Sequence, residues 1–289
     1  MIKELSICVA LASVIVGHGC VNRGNATLAT PEPTPMNNSE NGKTADFMKN
    51  LPAGFVQPTD GVGRRLLREY GAVFVARGGA QPPKMVVFQD EAAVTTYQST
   101  LKTSKQTLGG ITIELQEPAM TALLDASKEA GRSHLKITPR SADSARRGYK
   151  HTVDLWASRV NPGLAHWTAA GKVTAGDAKR IMALSPYEQV PEIFELEDKG
   201  IFFSKDFSKT IIYSVAPPGT SQHLSMLALD VAQFDDSRVR AILARHGWFQ
   251  TVTSDLPHFT YLGIAESELP TLGLKKVVNA DRDFWVPDL

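Results

Sequence analysis

The stretch Pro218–Asp230, PGTSQHLSMLALD, constrains this chain more than any other. Pro217, Pro218, Gly219 and Thr220 form a turn, because proline fixes φ and glycine frees it. Leu227 and Leu229 then alternate into Val231, the period of a half-buried strand. His223 therefore falls on a loop, and Asp230, seven positions on, falls on the strand. A second stretch, Ser254–Gly263, SDLPHFTYLG, sets Asp255 three residues before His258. His258 opens an apolar run, Phe259 to Leu262, that reads as another strand. Two His and one Asp make a three-ligand set for a catalytic zinc and leave the fourth position to water. Asp255 is then the nearby carboxylate that takes a proton from that water.

The order Ser-x-His, then Ala-x-Asp, then acid-x-x-His with an aromatic after it, is similar to that of the zinc D-alanyl-D-alanine carboxypeptidases and dipeptidases. The resemblance spans roughly Leu135 to Gly263, under half of the chain. Matched residue by residue, it implies that His223, Asp230 and His258 hold zinc and that Asp255 is the general base. It also implies that Ser221 contacts the substrate near its amino end. His246-Gly247-Trp248-Phe249 resembles the strand that leads towards the last ligand. Pro139-Arg140-Ser141, after a short expected strand at Leu135–Ile137, resembles the Arg-Ser pair that supplies an active-site arginine. Arg140 would grip a substrate carboxylate or the developing oxyanion. Two positions depart from the pattern: Met226 stands where the family has Gly, and Asp255 where it has Glu, one methylene longer.

Each residue also has a plainer reading. Arg140 could be a surface arginine pairing with Asp143 or Asp154, and Asp255 a turn acid before Pro257. Ser221, His223 and Asp230 could form a serine triad, but no Gly-x-Ser-x-Gly elbow surrounds Ser221. Of the seven His, His151 and His166 lack an acid at ligand spacing, and His246 is a candidate outer support of the metal.

Composition excludes some classes. Lys+Arg 31 against Asp+Glu 30 gives a net charge of +1 with no basic block, so neither nucleic acid nor an anionic surface is expected as partner. The apolar fraction of 43% permits a sizeable core. The two Cys, Cys8 and Cys20, provide neither a structural disulfide nor a cysteine-ligated metal.

Residues 1–20 read as an export signal: Lys3, an apolar run from Leu5 to Val16 too short for a comfortable span, then Gly17-His18-Gly19-Cys20. Cys20 is the expected lipidation site of a lipoprotein, the alternative being an ordinary cleaved signal with an incidental Cys. Residues 21–44, rich in Asn, Thr, Pro, Ser and Gly, are expected to be a disordered tether. The chain is thus expected to be exported and anchored to a membrane, and to be a monomer.

Residues 45–115 are either a small subdomain or an extension packed on the core, and residues 116–289 form the peptidase-like domain. Helices are expected at Gly63–Tyr70, Asp90–Leu101, Glu117–Gly131, Ser144–Val160 (ended by Asn161-Pro162-Gly163), Thr174–Leu184 and Asp236–His246. Strands are expected at Ala72–Ala76, Met85–Phe88, Ile111–Leu115, Ile201–Phe203, Ile211–Ser214 and Leu274–Val278, while Ser185–Lys209 is ambiguous.

The expected class is α+β: a small, mostly antiparallel sheet flanked by helices, the zinc fold that the resemblance implies for Hedgehog- and D,D-peptidase-like domains. The implied function is a zinc carboxypeptidase or endopeptidase acting on D-Ala-containing stem peptides of peptidoglycan. The shorter acid at Asp255 also fits a second reading, a weak or inactive zinc-containing module that binds the cell wall.

Overall fold

Side-chain caps set the start of most helices. In the computed structural model, which describes residues 46–289, Asp60 accepts the Gly63 N–H at 2.7 Å and opens α1, Gly61–Tyr70. Asp90 does the same for α2, Glu91–Ser99. Such caps satisfy amide groups that the first helical turn leaves free. A hairpin follows, β1 Thr103–Leu108 with β2 Ile111–Gln116, leading into α3, Glu117–Arg132. Then come α4, Tyr149–Ala169, α5, Ala175–Ala183, capped by Thr174, and α6, Pro186–Asp198. The strand β3, Ala228–Asp230, precedes α7, Ser237–Arg245, whose cap is Asp236. The strands β4, Trp248–Phe249, β5, His258–Tyr261, β6, Leu274–Asn279, and β7, Arg282–Pro287, complete the chain.

Among the described residues the strands form three antiparallel sheets, ordered β1-β2, β3-β5-β4 and β6-β7, with helices around them. The class is α+β, with small antiparallel sheets flanked by helices. The central sheet sets the site, because its register places Asp230 directly opposite His258. Leu229 and Phe259, the next pair, are buried, so a slip of one residue would turn both ligands to the wrong face. One buried cluster runs from Phe47 and Leu66 through Leu123, Trp156 and Leu229 to Trp285, so residues before 115 share a core with those after it. The expected signal, tether and Cys20 lie outside the described residues.

Several expected elements take another form. Ala72–Ala76 is not a strand: Gly71–Val75 is a buried 3-10 turn. Of Met85–Phe88, only Met85 pairs, in a single bridge to Val56, and the expected strands at Leu135–Ile137, Ile201–Phe203 and Ile211–Ser214 are loop or 3-10 turn. These short apolar runs are buried without joining a strand ladder, and burial alone does not distinguish strand from turn. The helix expected from Ser144 begins at Tyr149, because the carbonyls before it are used elsewhere, as shown below. It also passes through Pro162 rather than ending there, carrying Val160, Gly163 and Leu164 into the core. A Cβ on Gly163 would lie 2.4 Å from the Phe203 ring, so the glycine is needed for that contact rather than for a stop.

Candidate metal centre

The loop from Pro217 is held before it delivers a ligand. Gly219 has φ +74°, its carbonyl accepts the Phe88 N–H at 3.0 Å, and a Cβ there would lie 1.8 Å from the Phe88 carbonyl oxygen. Only glycine fits so close an approach at that φ. A buried 3-10 turn, Gln222–Ser225, then carries His223. Met226 closes this turn at φ +59°, with its side chain buried. A side chain in that left-handed region costs roughly 1–2 kcal/mol, which explains why glycine suits the position and why Met226 needs its packing there.

Three ligand atoms converge. His223 Nε2 lies 3.2 Å from Asp230 Oδ1, His258 Nδ1 lies 3.4 Å from the same oxygen, and the two ring nitrogens are 3.1 Å apart. A tetrahedral zinc with bonds of about 2.0–2.2 Å holds its ligands about 3.3–3.5 Å apart. The far side of each ring decides what the near side is. His223 Nδ1–H donates to the Ala145 carbonyl at 2.9 Å. Gln222 Nε2 donates to the Tyr70 carbonyl at 2.8 Å, which turns Gln222 Oε1 to accept from His258 Nε2–H at 2.9 Å. Both near nitrogens therefore present lone pairs, and Asp230 Oδ1 is buried with no hydrogen-bond partner. Burial pushes the His223 imidazole below its ordinary range against the pull of Asp230, which keeps it neutral. The Asp230 carboxyl lies well below the usual carboxylate range despite its burial, and Arg147 pairs with its other oxygen. Three acceptors facing one another with no hydrogen between them call for a cation. The donor set fits a divalent ion such as zinc.

Residues around the centre hold this arrangement. Arg147 donates to Asp230 Oδ2 at 2.7 Å and, through Nε, to the Asp143 carbonyl at 2.9 Å. The Asp230 N–H donates to the Ser144 carbonyl at 2.9 Å. The carbonyls of residues 143–145 thus serve Arg147 and two of the metal ligands instead of a helix, which delays the start of α4.

A cavity of about 290 Å3 opens over the two imidazoles. Ser221 and Asp255 line it beside His223 and His258. Arg140 does not line the cavity. Its N–H donates to the Asp230 carbonyl at 3.1 Å, and its exposed guanidinium lies 5.8 Å over the Phe234 ring. Nor does it pair with Asp143 or Asp154; those pair with His151 and Lys150. His246 is not a support of the metal: it bonds Glu129 at 2.7 Å, joining α7 to α3. Sequence reasoning missed Arg147, Arg159 and Tyr70, which all line the cavity. Tyr70 keeps its phenol proton, because burial and the charges of Glu69 and Asp255 push it above its usual range. Gln222, beside His223 in Ser-Gln-His, was legible only as a neighbour.

Gln222→Ala should therefore lower zinc affinity about 10- to 100-fold, since it frees His258 to rotate and change tautomer. Competition with a coloured chelator measures this, and an unchanged affinity would show that the amide does not position the ring.

No protein-family model matches the chain, and no curated protein matches it. Among solved structures, the chain is similar to a mutant of the vancomycin-resistance D,D-pentapeptidase VanY from a VanB-type resistance cassette, in complex with Zn(II). The match has 19% identity and a TM-score of 0.31, and covers 58% of this chain and 82% of that one.

Proposed function

We propose that the protein is a zinc metallopeptidase that hydrolyses D-Ala-containing stem peptides of peptidoglycan. The observation that carries the metal chemistry is the buried triangle of His223 Nε2, His258 Nδ1 and Asp230 Oδ1, with Oδ1 unpartnered. The choice of substrate rests on the sequence resemblance in residues 135–263.

Bound zinc supplies a water that ionises near neutral pH and a Lewis acid for the scissile carbonyl. The chain's own residues do the rest. Asp255, on the cavity wall, accepts the proton of the attacking water and returns it to the leaving amine. Arg147 holds Asp230 in place, and Ala145 and Gln222 hold the two rings. Tyr70 offers a protonated hydroxyl on the same wall. The export signal and a lipid on Cys20 would place this site outside the cytoplasm, near its substrate.

A second reading is a wall-binding module that keeps the ion without hydrolysis. It is favoured by the Asp255 carboxylate, which is exposed and makes no side-chain hydrogen bond among the described residues.

Exhaustive chelation should abolish cleavage of a D-Ala-D-Ala-terminated peptide, and a stoichiometric return of zinc should restore it. Full activity in metal-free protein would overturn the proposal.

A further inference from the structure

The helix α1 buries one face, Gly63, Leu66, Leu67 and Tyr70, at the three- and four-residue spacing that stacks side chains on one side. Tyr70 is its last residue, so its carbonyl has no helical partner and accepts Gln222 Nε2–H at 2.8 Å. Its side chain joins the wall of the metal cavity, although the residue is only 5% exposed. The phenol oxygen has no hydrogen bond among the described residues, and protein does not seal it off, so it opens on the cavity. A polar group buried so deeply costs stability unless something pairs with it. The negative charge of Asp255 reaches this phenol and, after burial and Glu69, helps to hold its proton in place. The Asp255 carboxylate is itself without a side-chain partner, so the wall carries one free donor and one free acceptor. The other donors there have duties. Arg147 serves Asp230 and the Asp143 carbonyl, Arg159 is tied to Ser214 and Ser158, and the sequence pattern assigns Ser221 to the substrate's amino end. Arg140, which that pattern offers to the oxyanion, does not line the cavity.

We propose that Tyr70 is a catalytic residue, which donates a hydrogen bond to the scissile carbonyl oxygen while Asp255 faces the amide nitrogen. This rests on the zinc-peptidase reading of the site. A peptide unit carries an acceptor and a donor on the two sides of its C–N bond, and the free phenol and free carboxylate complement them. The bond from the phenol strengthens as the carbonyl oxygen gains charge, because hydrogen bonds to an ionised acceptor are shorter and stronger. A donor fixed in a buried wall needs no reorganisation at that moment, so it lowers the barrier more than it tightens the substrate. The phenol keeps its O–H bond throughout. The proton that leaves the attacking water goes to Asp255 and then to the leaving amine, as the new C–O bond forms and the C–N bond breaks. A tyrosine thus takes the part that the sequence pattern gives to an arginine.

Tyr70→Phe is compared with the parent, both as zinc-loaded full chains. The change removes only an unpaired oxygen, so the variant should keep its fold and zinc content and melt at or above the parent. Two uncleaved probes are titrated by calorimetry. One is a phosphinate analogue of N-acetyl-D-Ala-D-Ala, with a charged oxygen in the tetrahedral shape. The other is the reduced-amide isostere, which has no oxygen at that position. The variant should bind the phosphinate about 10- to 100-fold more weakly, the range for a hydrogen bond to a charged group. It should bind the reduced amide within about threefold of the parent. On a D-Ala-D-Ala-terminated peptide its kcat should fall by about 10²- to 10³-fold with KM little changed, the signature of a contact made in the transition state. Equal phosphinate binding by the two proteins overturns the donor and leaves the peptidase standing. So does an equal loss for both probes, which marks a packing role. A Phe protein that does not fold would show that the oxygen is already bonded, which also overturns its part as a free donor. A parent that binds neither probe and cleaves nothing sinks the zinc-peptidase reading itself, and the donor with it.

Discussion

Asp230→Asn should give a folded protein that holds no zinc and cleaves no peptide. The carboxylate spends one oxygen on the ligand triangle and the other on Arg147, 2.7 Å away. An amide keeps its oxygen for Arg147 and turns its NH2 towards the lone pairs of His223 and His258. Hydrogens then fill the space where a cation belongs, and the charge that attracts the cation is gone. In the presence of a chelator, the Asn variant should therefore melt at or above the metal-free parent, although it has lost its function. Asp230→Ala separates the two effects. It also loses zinc, but it leaves Arg147 without its counter-charge. The pair is shielded from solvent, with side-chain exposures of 15% and 14%, so screening recovers little. Removing one partner of such a pair costs roughly 3–5 kcal/mol. Elemental analysis and thermal melts read both results. A stoichiometric, tightly held zinc in Asp230→Asn would show that this carboxylate is not a ligand.

How much of this was legible follows from where the information sits. Caps are local, so Asp90, Thr174 and Asp236 announced their helices to within a residue or two. The Ser185–Glu188 capping box was equally local, and it marks the helix α6 in a stretch that periodicity left ambiguous. The hairpin partner β7 was hidden because its turn, Ala280-Asp281, takes positive φ at both positions without a glycine. Pro162 was a fair stop by local rules, and only the packing of Gly163 on Phe203, forty positions away, shows why the helix continues.

The site divides in the same way. Each of the two strand-and-loop stretches carries its own ligands, and the register of β3 against β5 fixes which face those ligands share. What holds the ligands is long-range. The carbonyl of Ala145 meets His223 across 78 positions, and the carbonyl of Tyr70 orients Gln222 across 152. Spacing could not decide between Arg140 and Arg147, because both lie in the loop beside Asp230. One offers that residue its backbone N–H and the other its guanidinium.

Asp255→Asn should lower kcat by about 10²- to 10⁴-fold, the usual contribution of a positioned general base, with KM and zinc content near those of the parent. The acid is placed by the backbone. Its N–H donates to the Val252 carbonyl at 3.1 Å, and its carbonyl accepts the His258 N–H at 3.1 Å. One tight turn thus joins the carboxylate to a metal ligand. Asp255→Glu should fold normally, because the position is exposed and the extra methylene enters open cavity. It should keep measurable activity, since a longer arm on the same turn still reaches. If the Asn variant works as well as the parent, another group moves the proton. If parent, Asn and Glu proteins are all inert while zinc stays stoichiometric and peptidoglycan is still bound, the module reading replaces the hydrolase. The three proteins therefore decide whether this ion is used for chemistry or only for shape.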